Sequence, residues 1–103
     1  MASRLHPWPR TAQQVRALSW IDRNDPGQVD VFCDLWIKAV AAGDVGPDHP
    51  PPFNSPGSLW QAWKHQPAVA DEHHAAADAL ASKHGFAAVQ GGGHRARFWF
   101  TRV

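Results

Sequence analysis

The sequence predicts a small α+β protein in which three or four helices are followed by a C-terminal antiparallel β-hairpin. Apolar residues recur at helical spacing behind capping residues along most of the chain, and they alternate with polar residues around a triple glycine near its end. Hydrophobic residues make up 44% of the chain and charged residues 18%, with 6 Trp and 5 Phe, which is the composition of a chain with a packed core. The chain is therefore expected to fold.

The first helix is predicted over residues 11–23. Thr11 and Gln14 form a capping-box pattern, in which the side chain of each residue accepts a hydrogen bond from the backbone N–H of the other. The apolar residues behind this cap fall on one helical face: Val15, Leu18 and Ile21. An amphipathic helix that packs by this face is therefore expected.

The second helix is predicted over residues 26–42. Asp25 is placed as N-cap before Pro26 at the first helical position, and Gly43 provides the stop. The buried stripe is predicted to be Val29, Phe32, Cys33, Trp36 and Val40. The opposite face carries Asp30, Asp34 and Lys38 at spacings of four.

A proline-rich loop over residues 43–57 separates this helix from the next. Its five prolines exclude a helix or a central strand, so we interpret it as a rigid connector. The alternative is a polyproline II ligand ending at Phe53. Ser55 is then predicted to cap a short helix that ends near His65 and packs inward through Leu59, Trp60 and Trp63.

The last helix and the hairpin are predicted over residues 69–84 and 86–102. The helix should pack through Val69, His73, Ala76 and Leu80 and end at a left-handed Gly85. Residues 86–90 and 94–102 are read as strands around the glycine turn. Alternation assigns one face to the core, with His94, Ala96, Phe98 and Phe100, and the other to solvent or a partner, with Arg95, Arg97, Trp99 and Thr101.

The length of 103 residues predicts one folded domain over residues 11–103, preceded by a flexible basic arm over residues 1–10. No apolar stretch approaches the roughly 20 residues that span a bilayer, and the N-terminus shows no secretion signal. A cytoplasmic protein with no membrane partner is expected. A single cysteine excludes an internal disulfide.

The charges are unevenly distributed although the net charge is only +1. Residues 1–23 and residues 83–103 are basic, and the acidic residues concentrate between them. The C-terminal segment contains no acid at all. Basic termini therefore flank an acidic middle.

The order of elements over residues 58–102 resembles the second half of a winged helix-turn-helix domain. Residues 58–65 correspond to the positioning helix, residues 69–84 to the recognition helix and residues 86–102 to the wing. The resemblance implies nucleic-acid binding. The acids Asp71, Glu72 and Asp78 on the second helix oppose its insertion between phosphates.

The resulting hypothesis is a small nucleic-acid-binding domain that uses a basic, aromatic hairpin. The predicted contact residues are Arg4, Arg10, Arg95, Arg97, Trp99 and Arg102. The alternative is a small inhibitor or adaptor that binds a protein target, because Trp and Arg dominate protein interfaces. Trp8, between two prolines, is the candidate anchor for that alternative unless it packs back onto the body.

Neither a catalytic set nor a metal or cofactor site is predicted. The adjacent His73 and His74 point about 100° apart on a helix, and two histidines one helical turn apart, the common zinc pattern, do not occur. Cys33 lies on the predicted core stripe, so we interpret it as a buried structural thiol. We expect a protein that is not an enzyme.

Overall fold

The computed structural model describes residues 8–18, 21, 26–90 and 98–102, with four helices followed by a two-stranded antiparallel sheet. The helices are α1 (Ala12–Arg16), α2 (Pro26–Ala42), α3 (Pro56–Trp63) and α4 (Asp71–Lys83), and the strands are β1 (Phe86–Gln90) and β2 (Phe98–Arg102). The predicted α+β class and order of elements are confirmed. No helix in the described part of the chain is long and apolar enough to cross a membrane.

Helix α1 is shorter than predicted. The capping box between Thr11 and Gln14 forms as expected, but the helix ends at Arg16 instead of continuing to residue 23. The backbone then turns more tightly, with Leu18 N–H bonded to Val15 O and Ile21 N–H bonded to Leu18 O. Val15 and Ile21 are buried as the pattern predicted, and Leu18 is partly buried.

Helix α2 has the predicted bounds and forms the centre of the core. Val29, Phe32, Cys33 and Trp36 are buried, but Val40 is only half-buried and Ala39 is fully buried in its place. Val31 and Leu35 are buried as well, because α2 packs against α1 and β2 and is covered on more than one side. At its end Gly43 has a φ of 77°, and Asp44 N–H bonds Ala39 O at 2.9 Å.

The proline-rich loop is ordered by its own hydrogen bonds before α3 begins. Gly46 N–H bonds Phe53 O at 3.0 Å, and Phe53 N–H bonds Pro50 O at 2.9 Å. Ser55 then caps α3 through Ser58 N–H at 3.1 Å, as predicted. The inward residues of α3 are confirmed to be Leu59, Trp60 and Trp63.

Helix α4 starts two residues later than predicted and buries a different stripe. Its backbone is still extended at Ala70, and the residues that it buries are Ala77, Leu80 and Ala81. The predicted inner residues His73 and Ala76 are only half-buried, because α3 and β1 cover the side of α4 that carries residues 77 and 81. The predicted left-handed Gly85 has a φ of 89° and leads into β1.

The two strands pair antiparallel from Phe86 with Arg102 to Gln90 with Phe98. Phe86 and Phe100 are buried, and Phe100 stacks on Trp63 with ring centroids 4.1 Å apart, whereas Ala87 and Thr101 are exposed. The predicted inward face is thus confirmed at Phe100. The glycine turn and residues 94–97, which were predicted to belong to the second strand, lie outside the described residues.

Candidate nucleic-acid interface

The base of the hairpin is fixed to the helical body by a side chain of α2. Gln28, which is 6% exposed, hydrogen-bonds to both backbone groups of Phe100. Its Oε1 also accepts from Nζ of Lys64, at 3.4 Å, and Lys64 is itself only 1% exposed. These contacts determine where β2, and with it the candidate residue Arg102, lies against α2.

Arg102, at the end of β2, forms an ion pair with Asp34 of α2. Its Nε donates to Asp34 Oδ2 at 2.8 Å, and the two side chains are 54% and 33% exposed. The nitrogens Nη1 and Nη2 of Arg102 have no hydrogen-bond partner in the described part of the chain. Arg102 is therefore a surface cation with one edge occupied by a carboxylate.

A second ion pair lies beside the first. Arg16, at the end of α1, pairs with Asp30, which is one helical turn before Asp34 on α2. Both pairs line one open cleft of ≈ 470 Å³, which also contacts Cys33 and Ile37. We call this the Asp34 cleft. Its charges balance, because two arginines face two aspartates.

Arg10 does not line this cleft. Its backbone N–H donates to Gln14 Oε1 at 2.7 Å, and the residue is exposed. Just before it, Trp8 packs on Trp36 with ring centroids 4.9 Å apart, and Pro9 O accepts from Trp36 Nε1 at 3.1 Å. Trp8 is therefore partly buried against the body, which weakens its assignment as an exposed anchor for a protein target.

Of the other candidate residues, Arg4, Arg95 and Arg97 lie outside the described residues. The backbone of Trp99 pairs with Val89 in the sheet, two positions before the exposed Thr101. The hairpin register is thus described up to Phe98, and the roles of Arg95 and Arg97, which precede it on the predicted strand, remain predictions.

Helix α4 presents carboxylates where the winged-helix resemblance implies contacts to bases. Asp71 and Glu72 occupy its first turn and are exposed. Acids stabilise a helix N-terminus through its dipole, but they repel phosphates. Asp78, one of the three opposing acids, bonds His65 Nε2 through Oδ2 at 2.9 Å. We therefore leave α4 out of the candidate interface.

His74 of α4 forms structural contacts. His74 stacks on His65 with ring centroids 4.4 Å apart and planes inclined by 18°, and His74 Nε2 lies 3.1 Å from Gln66 O. Because the two rings are nearly parallel and each nitrogen lone pair lies in the plane of its ring, the lone pairs do not converge on one point where a metal ion could bind. Among the residues that the structure describes, no group of three His, Cys, Asp or Glu could hold a metal ion.

A carboxylate at the end of α2 ties α2 to α4. Asp44 accepts from Lys83 Nζ at 2.9 Å and lies 2.8 Å from His84 Nε2. The hydrogen bond from Lys83 lowers the pKa of Asp44, the contact with His84 lowers it further, and burial opposes both. This cluster joins two helices and stabilises the fold.

Cys33 is buried as predicted, with 1% of its surface exposed. Burial raises the pKa of its thiol, and the nearby charge of Arg16 opposes that effect only in part. Its Sγ lies 3.9 Å from Ala12 O. A neutral, buried thiol is a poor nucleophile at neutral pH.

Sequence reasoning missed the partners of the candidate residues. The sequence pattern places Asp30 and Asp34 on the polar face of α2, where Asp34 precedes Lys38 by four residues, an order that favours an ion pair between these two. In the structure Asp34 pairs with Arg102, while Lys38 Nζ lies 5.4 Å from the centroid of the Phe86 ring. The spacing of Asp30 and Asp34 indicated an exposed acidic face on α2, but no local pattern indicates that the partner of Asp34 lies 68 positions away.

The comparisons with known proteins show no relative. No protein-family model matches the chain, and neither a curated protein nor a solved structure matches it significantly.

Proposed function

We propose that this protein binds single-stranded nucleic acid through the outer face of its C-terminal hairpin. The observation that carries the proposal is the asymmetry of the two-stranded sheet. Phe86 and Phe100 on the inner face are buried, whereas the cross-strand pair Ala87 and Thr101 on the outer face is exposed. A strand alternates its side chains, so Arg95, Arg97 and Trp99 are in phase with Thr101 if β2 extends as the sequence predicts.

The chemistry of these residues suits a single strand. Arginine binds phosphate oxygens without regard to sequence, and an exposed tryptophan offers a face on which a base can stack. Insertion of α4 into a duplex groove is disfavoured by Asp71 and Glu72 at its exposed start. Arg4 and Arg10, near the N-terminus, are proposed as further phosphate contacts. Arg102 is proposed as one more; it lies at the end of β2, on the side of the strand opposite to Thr101.

Fluorescence anisotropy with labelled single-stranded and duplex DNA and RNA at two salt concentrations tests the proposal. We expect tighter binding of single strands. Replacing Arg95 and Arg97 by Ala should reduce the dependence of log affinity on log salt by about 1.4, since each phosphate contact contributes about 0.7 on a single strand. The matched control is Lys38→Ala with Lys83→Ala, which removes the same charge from the helices and should change the slope little.

A folded protein that shows no binding to any of these probes at low salt does not bind nucleic acid in this way. An equal loss of affinity in the hairpin variant and in its helix control would show a general charge effect instead of an interface.

The second candidate function is binding to a protein target, without catalysis. It is favoured by the pairing of surface cations: Arg16 with Asp30, Lys83 with Asp44 and Arg102 with Asp34. A balanced surface attracts phosphate weakly, and arginines held by carboxylates beside Ile37 are suited to a protein interface. Under this alternative, Ile37→Asp should abolish capture of the target, and salt should affect the complex little.

A further inference from the structure

We propose that Asp34 limits the affinity of the hairpin for nucleic acid by occupying Arg102. This inference rests on the proposed function, because it assigns a role to a contact beside the proposed interface. Asp34 lies on α2, outside the hairpin, and was not among the predicted binding residues. It acts through Arg102 and is not expected to contact the nucleic acid.

The geometry of the pair supports this role. Arg102 donates to Asp34 only through Nε, at 2.8 Å, and its two terminal nitrogens have no partner within the described residues. The side chain of Arg102 is 54% exposed and lies at the end of β2, on the side of the strand that faces α2. A phosphate can therefore reach Arg102, but it meets the charge of Asp34 at the same site.

The surrounding charges do not offset the effect of Asp34. Asp30 lies one turn from Asp34 on the same face of α2, so the cleft presents two carboxylates to an approaching phosphate. Arg16 balances one of them. Exposed ion pairs are weak and screened by salt, so a phosphate can displace Asp34 from Arg102. The energy of the broken ion pair is subtracted from the affinity for the nucleic acid. Asp34 thereby reduces binding through Arg102 without preventing it.

The substitution Asp34→Asn tests the inference. Asparagine keeps an oxygen that can accept from Arg102 Nε but removes the negative charge. In the anisotropy titration, we expect the variant to bind a single strand more tightly and with a salt slope steeper by up to about 0.7, the value of one complete phosphate contact, because Asp34 no longer competes for Arg102. The ratio of the parent Kd to the variant Kd should therefore be up to about 2.6-fold larger at 50 mM than at 200 mM salt. Adding Arg102→Ala should abolish the gain.

The matched control is Asp71→Asn, which removes the same charge from an exposed position on α4. Equal gains in the Asp34 and Asp71 variants would overturn the inference while leaving the proposed function intact. Absence of binding in the parent and in both variants would overturn the inference and the proposed function together. Thermal unfolding checks that each variant is folded, and Asp34→Ser provides a second neutral substitution at the same position.

Discussion

The side-chain amide of Gln28 pairs with the backbone of Phe100 as a neighbouring strand would. Nε2 donates to Phe100 O at 2.8 Å, and Oε1 accepts from Phe100 N–H at 3.0 Å. A two-stranded sheet is marginally stable alone and leaves backbone groups unpaired at its edges. Gln28 satisfies two such buried groups and holds β2 against α2.

Replacing Gln28 by Ala should therefore lower the free energy of unfolding by roughly 2–4 kcal/mol, because both backbone groups of Phe100 become buried without a partner. Urea unfolding followed by tryptophan fluorescence measures the change. Gln61→Ala, on the exposed side of α3, is the matched control and should stay within about 0.5 kcal/mol of the parent. Similar values for the two variants would show that the Gln28 contact does not stabilise the hairpin.

Replacing Trp36 by Ala should cost roughly 3–5 kcal/mol, because it empties a fully buried aromatic position at the centre of α2. The ring contacts Trp8 and Phe32, and its Nε1 holds Pro9 O. Trp36→Phe keeps most of the apolar volume and should cost less. An unchanged denaturation midpoint in the Ala variant would refute this assignment to the core.

Stability should fall in acid because of Asp44. Its folded pKa lies below the unfolded value of about 3.9, so its contribution is complete above that value and is lost as the pH falls through the lowered pKa. Unfolding free energies measured between about pH 6 and pH 2.5 should therefore decline less steeply in Asp44→Asn than in the parent. Asp48→Asn, at an exposed position of the same loop, is the matched control for the loss of one carboxylate. Parallel curves for parent and Asp44→Asn would contradict the prediction.

Cys33 should react slowly with a thiol reagent in the folded protein. Its burial keeps the thiol neutral and out of contact with the reagent, so the reaction should accelerate when urea unfolds the chain. The rate of disulfide exchange with an aromatic disulfide, followed by absorbance, measures this. Cys33→Ser should lower the unfolding free energy by about 1–3 kcal/mol through a buried hydroxyl. Fast modification at neutral pH without denaturant would show an accessible thiol.

The sequence by itself determined the elements whose signals are local. The Thr11 and Ser55 caps and the left-handed Gly43 and Gly85 depend on neighbours within a few residues, and all four lie where they were predicted. The bounds of α2 and of β1 followed from the same kind of signal.

Only the tertiary structure decided which side chains meet. The sequence could not indicate that Gln28 would bond Phe100, that Asp34 would take Arg102 instead of Lys38, or that α4 would pack through Ala77 and Ala81. Small and polar side chains carry little periodic signal. Their burial and pairing depend on which elements the global packing brings beside them. The two contacts of α2 with β2 join residues that are 72 and 68 positions apart in the sequence.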